Sequence, residues 1–258
     1  MVKPADKNEA IKRFFGANAD SYSRSQSHES GKDLEILVSE LRLTGGEEVV
    51  DMATGTGFTA MAVAEKVNRV VAVDVTSEML EKAKALSKER KIRNIEFVNA
   101  DVTSTGLRSG SFDLVLTRRA AHHFSSVTGF IEEAKRVLRP GGRIGIVDMT
   151  IPEGDSVEFF NHLEKLRDNS HERALKKTEW LNILESSGLE VILCKVQEER
   201  VTFETWLYPV QPDTLIAGSC REYLLGLDEE NSSLIGLEKE PLSFIKRRII
   251  AIAAKKFS

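Results

Sequence analysis

The fold is decided by one stretch, Glu48-Val49-Val50-Asp51-Met52-Ala53-Thr54-Gly55-Thr56-Gly57-Phe58, in which an apolar run ends in an acid and a glycine turn follows. The run predicts a buried strand that ends at Asp51, and the glycines predict a tight turn into a helix. Such a helix points its free N–H groups at the turn. Since ligands of open α/β sheets bind outside the carboxyl ends of strands, the turn is a candidate ligand site.

Short apolar runs alternate with helical periodicity along most of the chain, which is typical of a parallel sheet covered by helices. Leu34, Leu37, Val38 and Leu41 predict a helix before the first strand. Strands are expected at residues 47–51, 70–74, 95–99, 112–117, 143–149, 189–195 and 244–254. Their nearly continuous apolar character favours a doubly wound, mostly parallel seven-stranded α/β sheet with helices on both faces.

Cap residues and apolar stripes predict the helices between these strands. Ser77 is expected to cap a helix with the apolar face Leu80, Ala83, Ala85 and Leu86, and Ser125 or Ser126 to cap the helix after the fourth strand. Thr178 is expected to cap a further helix, which contains Trp180 as a core residue. Other helices are expected at 58–66, 157–167, 203–207 and 216–225, and His162 is expected on the surface.

Composition indicates a globular protein: 258 residues are 41% hydrophobic and 29% charged, with a net charge of −4. This charge offers no general attraction to nucleic acid or to anionic lipid. Cys194 and Cys220 lie far apart and show no metal-type spacing, so we expect neither a disulfide framework nor a metal site. No signal peptide is visible and the longest apolar run, 249–254, is too short to span a bilayer. We therefore expect a cytoplasmic protein without membrane insertion.

Two further acids at strand ends indicate an adenosine-containing ligand. Asp74 ends the second predicted strand, where its two oxygens can bond both ribose hydroxyls, and Asp101 follows the third, where it can accept from an adenine amine. Val75, Met79 and Val102 would form apolar walls for the ring. Asp51 can accept hydrogen bonds relayed from an ammonium group.

A dinucleotide is the competing interpretation, because Gly55-x-Gly57-x-x-Ala60 matches the nicotinamide-dinucleotide fingerprint. A lone match of this kind is weak. Asp51, four residues before the first glycine, would repel a pyrophosphate, and no Tyr-x-x-x-Lys pair supplies the acid of short-chain dehydrogenases. A nicotinamide-dependent reductase therefore stays as the less favoured enzyme.

With the three acids in this order the chain resembles the class I S-adenosylmethionine (SAM)-dependent methyltransferases. Asp51-x-x-x-Gly55-x-Gly57 resembles their first motif, with Ala53 where the family usually has its first glycine, and Asp74 and Ala100-Asp101 resemble the next two. Residues 112–115 and 138–142 resemble the fourth strand and the turn before the fifth. Within the class, the chain is similar to the methyltransferase type 11 group, which includes quinone-biosynthesis (UbiE-type) enzymes.

The resemblance implies a Rossmann-like methyltransferase fold with an antiparallel last strand, SAM as cofactor and a single domain over residues 1–258. Residues 1–44 would form an N-terminal lid and helix, 45–149 the SAM-binding core, and 150–258 the acceptor-side helices and last two strands. The motifs of adenine or glutamine N-methylation and of cytosine C5-methylation are missing. A small organic acceptor, methylated on oxygen, carbon or nitrogen, remains. A SAM-binding protein without catalytic activity is the alternative.

Candidate catalytic residues follow the fourth strand in Arg118-Arg119-Ala120-Ala121-His122-His123-Phe124, which should face the methyl group. An imidazole titrates near neutral pH, so His122 or His123 is a candidate base. Arg118 is expected to orient the cofactor or to bind an acidic substrate group. Substrate-side candidates are Tyr22 and His28 on the lid, and His171 and Arg173 after the fifth strand.

Overall fold

The computed structural model describes residues 4–154 and 158–257, with side chains from Asn8 onward. Its helices are α1 (Pro4–Ser23), α2 (Gln26–Glu29), α3 (Lys32–Leu41), α4 (Phe58–Ala64), α5 (Ser77–Glu89), α6 (Val127–Val137), α7 (Glu158–Arg167), α8 (Lys177–Ser186), α9 (Phe203–Leu207), α10 (Leu215–Leu225) and α11 (Glu229–Leu234). A short 3-10 helix spans Ala121–His123. The strands are β1 (Glu48–Met52), β2 (Arg69–Asp74), β3 (Ile95–Asn99), β4 (Phe112–Arg118), β5 (Leu138–Ile151), β6 (Leu175–Lys176), β7 (Leu189–Thr202), β8 (Glu238–Lys239) and β9 (Leu242–Lys255).

The main sheet has the strand order β3-β2-β1-β4-β5-β9-β7. Strands β1 to β5 pair in parallel, and β9 runs antiparallel to both β5 and β7. The expected mostly parallel α/β sheet with an antiparallel last strand is therefore confirmed. Two-residue strands add to it: β6 pairs with β5, and β8 pairs with β9.

Helices cover both faces of this sheet, as its apolar strands require. On one face, Leu37 and Leu41 of α3 and Val63 of α4 pack against the sheet. On the other, α6 and α8 contribute Phe130 and Trp180, both at most 1% exposed, so the prediction of Trp180 as a core residue is confirmed. A third apolar cluster joins α7, α9 and α10 to the start of β9.

Strands β1 and β4 are neighbours near the centre of the sheet, and the strand order runs in opposite directions from them, toward β2 and β3 on one side and toward β5 on the other. At such a reversal the two following connections leave toward opposite faces, and a crevice opens at the carboxyl ends of the strands. The glycine turn after β1 and the histidine segment after β4 therefore border the same crevice.

Several local expectations need correction. Helix α5 is preceded by Thr76 as its N-cap, with Ser77 already helical, and α8 is preceded by Lys176. Thr178 does not cap α8, because its hydroxyl donates to Glu153 instead (2.8 Å). Ala85 is exposed, since only the stripe nearer the sheet is covered.

Two strand boundaries also differ from expectation. Pairing of β5 begins at Leu138, with a register shift before Arg143, so residues 139–142 form an irregularity within the strand rather than a separate turn. Strand β7 continues to Thr202 because β9 pairs with it along its full length. Among the described residues, no helix has both the length and the apolar character needed to cross a membrane.

Candidate active site

Two adjoining cavities lie at the carboxyl ends of the central strands. The first, of about 970 Å³ including space open to solvent, is bordered by the glycine turn, the ends of β2 and β4, and helix α1. The second, of about 1410 Å³ by the same measure, lies between α2, the histidine segment, α7, α9 and strand β9. They share the wall residues Phe15, Tyr22, His28, Arg119 and His123. A ligand in one is therefore next to a ligand in the other.

The glycine turn needs left-handed backbone at three alternate positions. Ala53, Gly55 and Gly57 have φ of 59°, 56° and 84°. A Cβ on Gly55 would meet no atom within 4 Å, whereas one on Gly57 would lie 3.0 Å from the Cβ of Ala83. Gly55 thus leaves room in the first cavity, while Gly57 allows the close approach of α4 to α5.

Asp51 lies directly beneath this turn and is 1% exposed. Its Oδ2 accepts a hydrogen bond from the hydroxyl of Thr54 (2.6 Å), and Thr54 lines the first cavity. Its Oδ1 is buried without a hydrogen-bond partner among the described residues. Burial raises the pKa of Asp51 to about 7. The site therefore holds a carboxylate that a cation would keep ionised.

Asp74 lines the first cavity and also shapes it. The backbone N–H of Gly55 donates to Oδ2 (2.8 Å), and that of Thr76 donates to Oδ1 (2.9 Å). Burial raises the pKa of Asp74. Each oxygen keeps a further lone pair, so the carboxylate can still accept from two neighbouring hydroxyls.

Asp101 lies at the far end of the same cavity, where Val75, Met79 and Val102 form apolar walls. Its Oδ1 accepts from the N–H and hydroxyl of Thr103 (2.7 Å each), and its Oδ2 accepts from the side-chain amide of Asn8 (2.7 Å). Helix α1 therefore covers this end of the cavity with Asn8, which sequence reasoning missed.

Arg118 borders the first cavity but its guanidinium is engaged elsewhere. It bonds the carboxylate of Asp33 (3.0 and 3.2 Å) and the carbonyl of His28 (2.9 Å), and Arg119 bonds the same carboxylate through two contacts of 2.8 Å. Burial would raise the pKa of Asp33, but the two guanidiniums outweigh it and hold that pKa well below its usual range. Arg118 therefore ties the N-terminal segment to the end of β4.

His122 and His123 stack against each other, with ring centroids 4.1 Å apart, but have different partners. The Nδ1 of His122 bonds Oδ1 of Asp148 (2.5 Å), and the backbone N–H of His122 donates to Oδ2 of the same carboxylate (2.7 Å). His122 lines the second cavity, and the described residues offer no hydrogen-bond partner to its Nε2. A carboxylate on Nδ1 fixes the ring so that Nε2 is the free base.

His123 lies where the two cavities meet, edge-on to Phe15 at 4.9 Å. Its Nδ1 contacts the hydroxyl of Ser170 (3.2 Å), and its Nε2 is 4.0 Å from Asp168. Burial, followed by the neighbouring His122, lowers the pKa of His123 to about 4. It is therefore a neutral ring at neutral pH and a weaker base than an unperturbed imidazole.

Tyr22 and His28 are brought together at the junction of the cavities, with ring centroids 5.2 Å apart. The Nδ1 of His28 is 2.7 Å from the hydroxyl of Ser25. Burial and the nearby Arg119 and Arg118 hold the pKa of His28 well below its usual value, and burial raises that of Tyr22. Both are neutral polar groups at neutral pH.

The structure does not bring His171 or Arg173 to either cavity. His171 is 1% exposed and bonds the amide oxygen of Asn161 (2.9 Å). Arg173 makes a surface ion pair with Glu179 (2.7 Å). The chain after β5 turns these side chains into the body of the protein and onto its surface, which corrects the expectation that they build the acceptor pocket.

Sequence reasoning missed two groups of residues around the second cavity. Asp148 carried a signal, since it is a strand-end acid like Asp51 and Asp74. Nothing in the sequence placed Arg167, Trp206, Lys246 or Arg248 at a cavity, because they come from distant helices and from the middle of a strand. His162, by contrast, is exposed as expected.

Comparison with known proteins identifies the class. A profile of the family described as "Methyltransferase domain" matches residues 50–146. The chain is 32% identical over 203 residues to the uncharacterized methyltransferase YcgJ of Bacillus subtilis, covering 78% of this chain and 77% of YcgJ. It is 24% identical to the demethylmenaquinone methyltransferase of Lactococcus lactis, over 67% of this chain and 73% of that protein.

A solved structure agrees with these relatives. The chain superposes on a methyltransferase-like protein of Bacillus halodurans C-125 with a TM-score of 0.83 and 34% identity, covering 88% of this chain and all of that one. Fold and relatives together define a class I methyltransferase. This chain belongs to the type 11 methyltransferase family, which transfers methyl groups and uses SAM, and the nicotinamide alternative is set aside.

The first cavity fits SAM. Oδ1 of buried Asp51 has no hydrogen-bond partner among the described residues and can accept a hydrogen bond relayed through the turn from an ammonium group. The open space beside Gly55 admits a ligand. The Asp74 carboxylate and the apolar walls suit an adenosine. When bound, SAM supplies an electrophilic methyl group on a sulfonium.

Proposed function

We propose that this enzyme methylates a small organic acceptor bound in the second cavity, with His122 as the base. The observation that carries the proposal is the shared wall of the two cavities, formed in part by Tyr22, His28 and His123. An acceptor in the second cavity therefore reaches the junction. The chain's own helices α2, α7 and α9 border this cavity, which suits a small molecule better than a polymer.

We infer the residues that bind the cofactor from the lining of the first cavity. Asp74 is proposed to accept from the ribose hydroxyls, and Asp101, together with Asn8, to bond the adenine edge. Asp51, through Thr54, is proposed to hold the ammonium end. Arg118 acts on the cofactor only indirectly, by holding the lid segment in place.

His122 is the better base of the two histidines. Asp148 holds Nδ1 and stabilises the imidazolium that forms when Nε2 takes a proton from the acceptor. His123 is proposed instead to shape the junction, since burial keeps it neutral. A nucleophile that must lose a proton, such as a hydroxyl or a carbon acid, needs such a base.

The test is transfer of labelled methyl from SAM into a metabolite extract, with wild type, His122→Asn and the exposed control His162→Asn. We expect a labelled small molecule, a turnover lowered by about 10²- to 10⁴-fold in His122→Asn, and normal turnover in the control. The affinity for S-adenosylhomocysteine should stay within about twofold in all three, because His122 lies outside the first cavity.

Label found in no small-molecule fraction would contradict the proposed acceptor class and favour a binding protein without catalytic activity. Unchanged turnover in His122→Asn would remove His122 as the base while leaving the acceptor class standing.

A further inference from the structure

Strand β9 carries two cations on a face that is otherwise apolar. Alternate residues of a strand share a face, which here holds Phe244, Lys246, Arg248, Ile250 and Ile252. Phe244 and the two isoleucines are at most 3% exposed. Placing Lys246 and Arg248 between them is costly unless something compensates the charges.

The protein compensates these two cations only in part. Arg248 bonds Glu199 (2.6 Å), whose side chain is half exposed. The ammonium of Lys246 is 3.6 Å from Oε1 of Glu164, beyond hydrogen-bond distance, although its side chain is only 15% exposed. No other described residue accepts a hydrogen bond from it. Lys246 lines the second cavity, and its ammonium has no hydrogen-bond acceptor among the described residues.

Glu164 does not belong to Lys246 alone. The same carboxylate pairs with Arg167 (2.7 Å) and accepts from the indole N–H of Trp206 (2.9 Å). Burial, then repulsion from Arg167 and Arg248, lowers the pKa of Lys246 to about 8, although Glu164 opposes the change. The ammonium is thus in a site where further negative charge is favourable.

The walls of the second cavity as a whole carry an excess of positive charge. Its lining cations are Lys32, Arg119, Arg167, Lys246 and Arg248. The lining acids are Asp168 and Glu199. Behind the lining lie the acids Asp33, Asp148 and Glu164 and the further cation Arg118. Even with all five acids ionised, the six cations outnumber them.

The geometry points to a subsite for an anionic group of the methyl acceptor, a carboxylate or a phosphate, held by Lys246 and Arg248. This inference rests on the proposed binding of a small acceptor in the second cavity. Lys246 and Arg248 line only that cavity, whereas His123 and Tyr22 line both. The acceptor is therefore bound with its anionic group on β9 and its nucleophile toward the junction.

The test is calorimetric titration of the protein with inorganic phosphate, benzoate and the neutral isostere benzamide, with and without S-adenosylhomocysteine. The variants are Lys246→Met, Arg248→Met and the control Lys195→Met. Lys195 lies on β7 of the same sheet and forms an exposed ion pair with Glu40 of α3. We expect at least one anion to bind and benzamide not to bind. Lys246→Met and Arg248→Met should each weaken anion binding by about tenfold or more, the effect of losing a charged hydrogen bond.

Binding of benzoate alone identifies a carboxylate acceptor, and binding of phosphate alone a phosphate ester; both results support the subsite. Equal binding of benzoate and benzamide, binding of neither anion, or unchanged anion affinity in both variants would overturn it. A tenfold loss of S-adenosylhomocysteine affinity in Lys246→Met would also overturn it, because the cations would then serve the cofactor carboxylate. Failure of the wild type to bind S-adenosylhomocysteine would instead count against the proposed function.

Discussion

Gly55 and Gly57 both have a positive φ, but only Gly55 faces open space. In Gly55→Ala the new methyl group meets no protein atom, so the loss of stability is limited to backbone strain of about 1–2 kcal/mol. The same methyl group occupies the first cavity, and affinity for S-adenosylhomocysteine should fall at least about tenfold. Calorimetry of binding together with thermal unfolding measures both effects.

Gly57→Ala is the matched variant. Its methyl group would press on Ala83, 3.0 Å away, so it should destabilise the protein more than Gly55→Ala. If Gly55→Ala bound the ligand as well as the wild type, the glycine turn would not be the cofactor site.

Asp51 should make cofactor binding depend on pH. Burial raises the pKa of Asp51 to about 7 in the folded protein, from 3.8 in the unfolded chain. Between these two pH values the ligand-free folded protein retains the proton that the unfolded chain has lost. This group therefore costs the folded state stability as pH rises from about 4 to 7, and the cost is largest above 7. A ligand ammonium favours the ionised form, so binding at lower pH must expel the proton.

We therefore expect affinity for S-adenosylhomocysteine to rise with pH up to about 7, by at most about tenfold per unit, and then to level off. In Asp51→Asn this rise should be lost and the unliganded protein should be more stable at pH 8. Calorimetric dissociation constants at pH 6, 7 and 8 test the prediction. The same slope in both proteins would show that another group titrates.

One buried ion cluster ties α2 and the start of α3 to the end of β4. Asp33, 1% exposed, bonds both Arg118 and Arg119, and Arg118 also bonds the carbonyl of His28. Removing one charge from such a cluster leaves buried cations uncompensated, which costs about 3–5 kcal/mol. His28 and the floor of both cavities depend on this attachment.

Asp33→Asn should therefore lower the free energy of unfolding by about 3 kcal/mol and speed amide hydrogen exchange in residues 26–30 more than elsewhere. Asp20→Asn, which removes only the surface pair with Lys82, is the control and should change neither. Denaturant unfolding and hydrogen exchange read by mass spectrometry measure the two effects. Unchanged exchange in residues 26–30 would mean that the segment is held by other contacts.

The parallel strands and the antiparallel strands of the sheet border different cavities. The ends of β1, β2 and β4 border the first cavity, and β9 with the helices after β7 borders the second. Residues 200–241, whose purpose the sequence did not indicate, supply Val201, Thr205, Trp206 and Tyr208 to the second cavity. The parallel part of the sheet therefore borders the cavity proposed for the cofactor, and the antiparallel part borders the cavity proposed for the acceptor.

The sequence predicted the features that depend on local pattern. The order of the strands along the chain follows from the hydrophobic pattern. The glycine turn and the acids Asp51, Asp74 and Asp101 lie at or next to strand ends, which the same pattern locates in the sequence. Contacts between residues far apart in the chain were not predictable, because they depend on register and on packing between elements. The His122–Asp148 pair, the cations of β9 and the burial of His171 are of this kind.

We expect the methyl donor to occupy the first cavity with its reactive end toward the second. The decisive measurement is a crystal structure with S-adenosylhomocysteine. We expect ribose hydroxyls at about 2.7 Å from the Asp74 carboxylate, and the sulfur beside Tyr22, His28 and His123. A ligand bound elsewhere, or one whose sulfur is turned away from the second cavity, would contradict the claim.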